Sequence, residues 1–133
     1  MEWEEELVLR NRLLRFDKNF ISKLMIDTSN KLKKYSKKYN VNLNVYCVPG
    51  DYINILGKFN INLRFILEDN LLTIRMNNED NIFIKIYIKE YYYYIEYNNL
   101  PSEDKSYNKK VYFLDKEIFS ILLKDMLILN KKF

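Results

Sequence analysis

The chain has 133 residues, 48% hydrophobic and 30% charged, with a formal net charge of +4. That length suits one domain with its own core, and that balance belongs to a folded chain. Histidine is absent, cysteine occurs once at Cys47, and glycine occurs only at Gly50 and Gly57. An intrachain disulfide, a Cys/His zinc site, a histidine-based triad and a glycine-rich phosphate loop are therefore excluded.

Residues 2–39 carry a heptad-like apolar series, Leu7, Leu14, Ile21, Thr28 and Tyr35, interleaved with Met25, Leu32 and Tyr39. This periodicity predicts one long helix, with Asp17 and Thr28-Ser29 as the points where a break would fall. Glu4, Glu5 and Glu6 at its start and Lys31, Lys33, Lys34, Lys37 and Lys38 at its end follow the helix dipole. Residues 1–40 hold ten basic and six acidic side chains against twelve of each in the remainder, so the whole positive excess sits here.

Strands are expected from about residue 41 to 97. Val41, Leu43, Val45 and Cys47 alternate with polar positions, and Pro49-Gly50-Asp51 predicts a turn. Odd positions from Ile53 to Leu67 stay apolar, with Gly57 the sole interruption, which reads as one long strand bent at Gly57. Glu68-Asp69-Asn70 turns the chain into Leu72, Ile74 and Met76, and Asn77-Asn78-Glu79-Asp80 turns it back. Ile82, Ile84, Ile86 and Ile88 share one face of the next strand, and beyond Glu90 the apolar parity shifts to Tyr91, Tyr93, Ile95 and Tyr97. With no Gly, Pro or Asn between the halves, a bulge near Lys89-Glu90 in a second bent strand is the expectation. A polar loop at 98–110, a short strand at 111–114 and a helix at about 115–130 with Asp115 as N-cap complete the chain. The fold class is α+β: a single domain with a long N-terminal helix, a bent antiparallel sheet of four or five strands and a C-terminal helix.

No catalytic, metal or cofactor site is expected. Cys47 has no histidine to activate it and sits at an apolar-face position. The acid pairs Glu68-Asp69, Glu79-Asp80 and Glu103-Asp104 read as solvated turn residues, the first two at opposite ends of a meander. Trp3 is expected to close an edge of the core.

The positive signal is a face. If the aliphatic positions point to the core, Arg64, Arg75, Phe83, Lys85, Tyr87 and Lys89 point away together, and Tyr92 and Tyr94 extend the set. Cations interleaved with rings serve both protein hot spots and single-stranded nucleic-acid platforms. Lys31, Lys34 and Lys38 form a secondary basic patch. The C-terminal helix is apolar nearly all round, so it is expected either to be sandwiched against the first helix and the sheet or to form half of a homo-oligomer contact.

The resulting expectation is a non-catalytic macromolecule-binding protein. Its sharpest form is a small inhibitor, immunity or anti-defence factor acting on a protein partner. The alternatives are a single-stranded nucleic-acid-binding accessory protein and a structural subunit of a larger oligomer. The bias toward Asn, Lys, Ile and Tyr, with no Ala or Gln, suits an A/T-rich microbe, phage or virus. The acidic start lacks a secretory pattern, and the richest apolar run, Ile118 to Leu129, is short and holds Lys124 and Asp125. Together with the lone cysteine this points to the cytoplasm, or a host's cytoplasm, and away from membranes.

Overall fold

The computed structural model describes residues 1–77, 80–102 and 105–133. Among them the order is α1 (Trp3–Arg10), α2 (Lys18–Lys38), β1 (Asn44–Val48), β2 (Tyr52–Leu56), β3 (Asn60–Glu68), β4 (Leu71–Met76), β5 (Phe83–Lys89), β6 (Tyr92–Asn98), β7 (Lys109–Val111) and α3 (Lys116–Leu129). The strands form a seven-stranded antiparallel sheet in the order β1 to β7, each strand pairing with its neighbours in sequence. The α+β class and the two terminal helical regions are as the sequence implied; three details of the elements differ.

The N-terminal region is two helices. Asn11 ends α1, its side-chain amide donating to the Leu7 carbonyl at 2.8 Å. Asp17 starts α2 by accepting from the backbone N–H groups of Asn19 and Phe20, at 2.9 and 3.3 Å. Between them the Arg12 guanidinium donates to the backbone carbonyls of Tyr91 (3.0 Å) and Tyr112. That anchor at the far edge of the sheet, 79 and 100 residues away in sequence, is what the heptad pattern could not reveal.

The two bent strands are hairpins, which raises the strand count to seven. Leu56 pairs with Asn60 across a three-residue turn at Gly57-Lys58-Phe59, where a β-carbon on Gly57 would come within 2.6 Å of a Leu43 methyl. Lys89 pairs with Tyr92 across the two-residue turn Glu90-Tyr91, and no bulge is present there. The last strand lies at Lys109–Val111, earlier than the 111–114 expected. Pro49-Gly50 forms the predicted turn: Gly50 has φ +84°, and the Asp51 N–H donates to the Val48 carbonyl at 2.9 Å, a type II geometry.

The core lies on one side of the sheet. Ile53, Leu63, Ile74, Ile84, Ile86 and Ile95 are buried against Leu24 and Met25 of α2 and Phe119, Leu122 and Met126 of α3. Phe119 stacks on Phe65 with centroids 5.8 Å apart. Two polar contacts fix α3: Asn130, at its C-cap, exchanges hydrogen bonds with the Ile82 backbone at 2.8 and 2.9 Å, and the Tyr97 hydroxyl donates to Asp125 at 2.5 Å. Asp115 caps the helix as expected, accepting from the Ile118 N–H at 3.0 Å. Both long helices bury their apolar stripes on this side, so side chains of opposite parity stand on the other face without a helical layer packed into their core.

Candidate functional site: the open sheet face

Pairing across the strands places all eight expected residues on that second face. Arg64 lies directly opposite Arg75, Thr73 opposite Lys85, Tyr87 opposite Tyr94, and Lys89 opposite Tyr92. Phe83 pairs with Asn98 and receives the Arg75 guanidinium at 3.9 Å from its ring centroid. The face continues to both sides through two residues that the sequence argument left out. Tyr52 pairs with Arg64, and Lys110 pairs with Tyr94. Tyr52 was within reach of the same parity argument carried one strand further; Lys110 was not, because residues 98–110 read as a polar loop.

Charge on this face is uneven. Its strand positions hold five cations, Arg64, Arg75, Lys85, Lys89 and Lys110, against Glu68 and Glu96. Glu96 stands opposite Lys85 and so offsets one cation. Arg64 has only a long contact to Asp51, 3.8 Å, with both side chains more than half exposed, which is worth little. Like charges directly opposite destabilise a sheet, yet Arg64 and Arg75 are so placed.

Tyr52, Phe83, Tyr87, Tyr92 and Tyr94 each have a cation beside the ring. Lys110 lies 4.3 Å from the Tyr92 centroid, Lys89 5.1 Å from Tyr94, and Arg64 5.9 Å from Tyr52. Tyr87 has its phenol pushed above the ordinary value, by desolvation first and by Glu96 second, so it remains a neutral donor. The arrangement can offer guanidinium and ammonium groups to carboxylates or phosphates from a preorganised, ring-supported ledge.

Other expected features sit elsewhere. Lys31, Lys34 and Lys38 are exposed on α2, with the sheet between them and the ledge, so the two basic regions do not form one site. Trp3 is 70% exposed beside exposed Leu7 and Val8 and does not close the core. Cys47 is half-buried on the helix-covered side; burial raises its thiol pKa and nearby Lys33 partly opposes this. Glu68 ends β3, paired with Leu71, and only Asp69 of that acid pair lies in the two-residue turn to β4. Glu79, Glu103, Asp104 and Asn78 lie outside the described residues. Among the described residues no three His, Cys, Asp or Glu side chains group to hold a metal ion, and no helix is long and apolar enough to cross a membrane.

Fold and face together define a class: an α+β protein with helices on one side of an antiparallel meander and a basic, aromatic ledge on the other. The chain matches no protein family, no curated protein and no solved structure.

Proposed function

We propose that this is a non-catalytic binding protein that docks an acidic surface of a protein partner onto the ledge, acting as an inhibitor or escort of that partner. The observation that carries this reading is the opposed Arg64–Arg75 pair, flanked across the strands by Tyr52 and Phe83. Repulsion between them costs the free protein stability and is relieved when a carboxylate bridges both. The ring support favours protein over nucleic acid. With Arg75 against Phe83 and Lys110 against Tyr92, a stacking base must first displace the cation. Interfaces, by contrast, use Tyr and Arg side by side.

The test is capture of partners from a host lysate by the tagged chain, with and without nuclease, beside an Arg75→Glu/Lys85→Glu variant. A stoichiometric protein partner that survives nuclease and is lost in the variant is the expected result. A partner retained by the variant removes the ledge from the argument.

A second reading, single-stranded nucleic-acid binding, draws on the same interleaving of rings and cations across β3 to β7. It requires affinity for labelled single strands that falls steeply with salt. Capture that nuclease abolishes would favour it over a protein partner.

A further inference from the structure

A different surface carries a second inference. Between α2 and α3 lies an open groove of about 700 Å³, floored by Leu24, Leu32 and Phe119 and walled by Tyr35 and Ile121. It is on the helix side of the sheet, remote from the ledge. Ile121 is 46% exposed at its lip, and Ile128, two turns further along α3, is 48% exposed. Both continue the apolar character of α3 out of the core and onto the surface. A contiguous apolar groove flanked by exposed aliphatic side chains marks an interaction site.

The charges on the rim identify the occupant. The α2 bank carries Asp27 and Lys31, and the α3 bank carries Lys116 and Glu117. Within the chain Lys116 reaches Asp27 at 3.9 Å, which leaves Lys31 on one bank and Glu117 on the other with no ion-pair partner among the described residues. A strongly charged ligand or partner gains nothing from a rim of two cations and two anions. A copy of the same surface gains both leftover charges. About a two-fold axis Lys31 of one chain meets Glu117 of the other, and the reciprocal pair forms by symmetry. The same rotation lays Ile121 of each chain toward the apolar floor of its mate.

We infer that the groove is the interface of a two-fold symmetric homodimer, with Ile121 as its apolar anchor and Lys31–Glu117 as its register-setting pair. The ledge then faces outward on both subunits, giving the dimer two equivalent docking surfaces. This inference does not depend on what the ledge binds.

Light scattering on the eluting 133-residue chain tests it, at about 100 μM, a hundredfold above a micromolar Kd. A mass of twice 16.3 kDa is expected. Ile121→Glu, a surface substitution that leaves the helical circular dichroism intact, should give the monomer. Lys31→Glu and Glu117→Lys should each weaken the dimer about tenfold or more, and the double reversal should restore it, because attraction replaces repulsion across the axis. A wild-type monomer at that concentration overturns the inference. So does a dimer indifferent to Ile121→Glu, or a monomer that native mass spectrometry finds carrying a small-molecule adduct lost in Ile121→Glu. An Arg75→Glu/Lys85→Glu variant should remain dimeric, which separates this test from that of the ledge.

Discussion

Glu90 offers a sharp quantitative test of the hairpin that carries the tyrosines. It is the first residue of a two-residue turn and has φ +55°, while Tyr91 beside it has no positive φ, the sign pattern of a type II′ turn. Glycine is favoured at that position because a β-carbon is crowded there. Tyr91 is held by stacking on Tyr112 at 6.2 Å and by the Arg12 contact to its carbonyl, so the strain falls on Glu90. The left-handed conformation costs an L-residue about 1–2 kcal/mol, and glycine brings back about 0.5–1 kcal/mol of unfolded-state entropy. Glu90→Gly should therefore stabilise the fold by about 0.5–1 kcal/mol. With a urea m-value of about 2 kcal/mol/M, the midpoint should rise by about 0.3–0.5 M. Glu90→Ala keeps the β-carbon and should show no such gain. A glycine variant no more stable than the alanine variant would refute the assignment of strain to this turn.

Phe119→Ala removes a fully buried ring stacked on Phe65 and should cost about 3–5 kcal/mol in equilibrium denaturation, a large part of the 5–15 kcal/mol that holds typical domains together. The Tyr97 phenol is raised well above its ordinary value of 10.0, by desolvation first and by its hydrogen bond to Asp125 second. The folded state thus holds that proton where the unfolded chain releases it. The contribution is intact below pH 10 and is lost as pH climbs beyond it, so Tyr97→Phe should flatten the fall in urea midpoint above about pH 10. Half-buried Cys47, with its raised pKa, should react with iodoacetamide at pH 8 several-fold more slowly than a free thiol; labelling as fast as glutathione would contradict its placement.

Which residues of strands β2 to β6 face the core was legible in the sequence; where the chain reverses was not, and a single geometric rule connects the two. In an antiparallel hairpin an odd number of loop residues preserves the inward parity, and an even number flips it. The three-residue loop at 57–59 keeps odd positions inward from Ile53 through Leu67, so two strands looked like one. The two-residue loop at 90–91 moves the inward set from Ile88 to Tyr93, and that shift mimicked a bulge. Turn chemistry did not correct the error, since Glu-Tyr is a poor composition for a tight turn. The ledge escaped damage because its residues were grouped by parity alone. The helix break at 11–17 has a different origin. Neither Gly nor Pro marks it; Asp17, one of the two break points the sequence offered, is the N-cap of α2, while the Arg12 contact to carbonyls on the far edge of the sheet is a tertiary effect that no local pattern records.

The unbroken β1-to-β7 order has a kinetic consequence. Every strand finds its partner next to it in sequence, so the sheet can grow hairpin by hairpin, and most of these closures span a loop of only two or three residues. Such local pairing keeps contact order low and favours fast folding for a β-rich chain. Seating the N-terminal segment through Arg12 instead joins residues 79 apart, and in a chain without other structure that loop costs about 3 kcal/mol more to close than a two-residue turn. Beyond the Arg12 hydrogen bonds and the Phe16–Tyr93 ring contact, little apolar area is buried there to repay it, Leu9 being the one buried residue of α1. The first sixteen residues thus behave as a latch fastened last and released first, and amide exchange should be fastest there while β3, β4 and β5 remain closed.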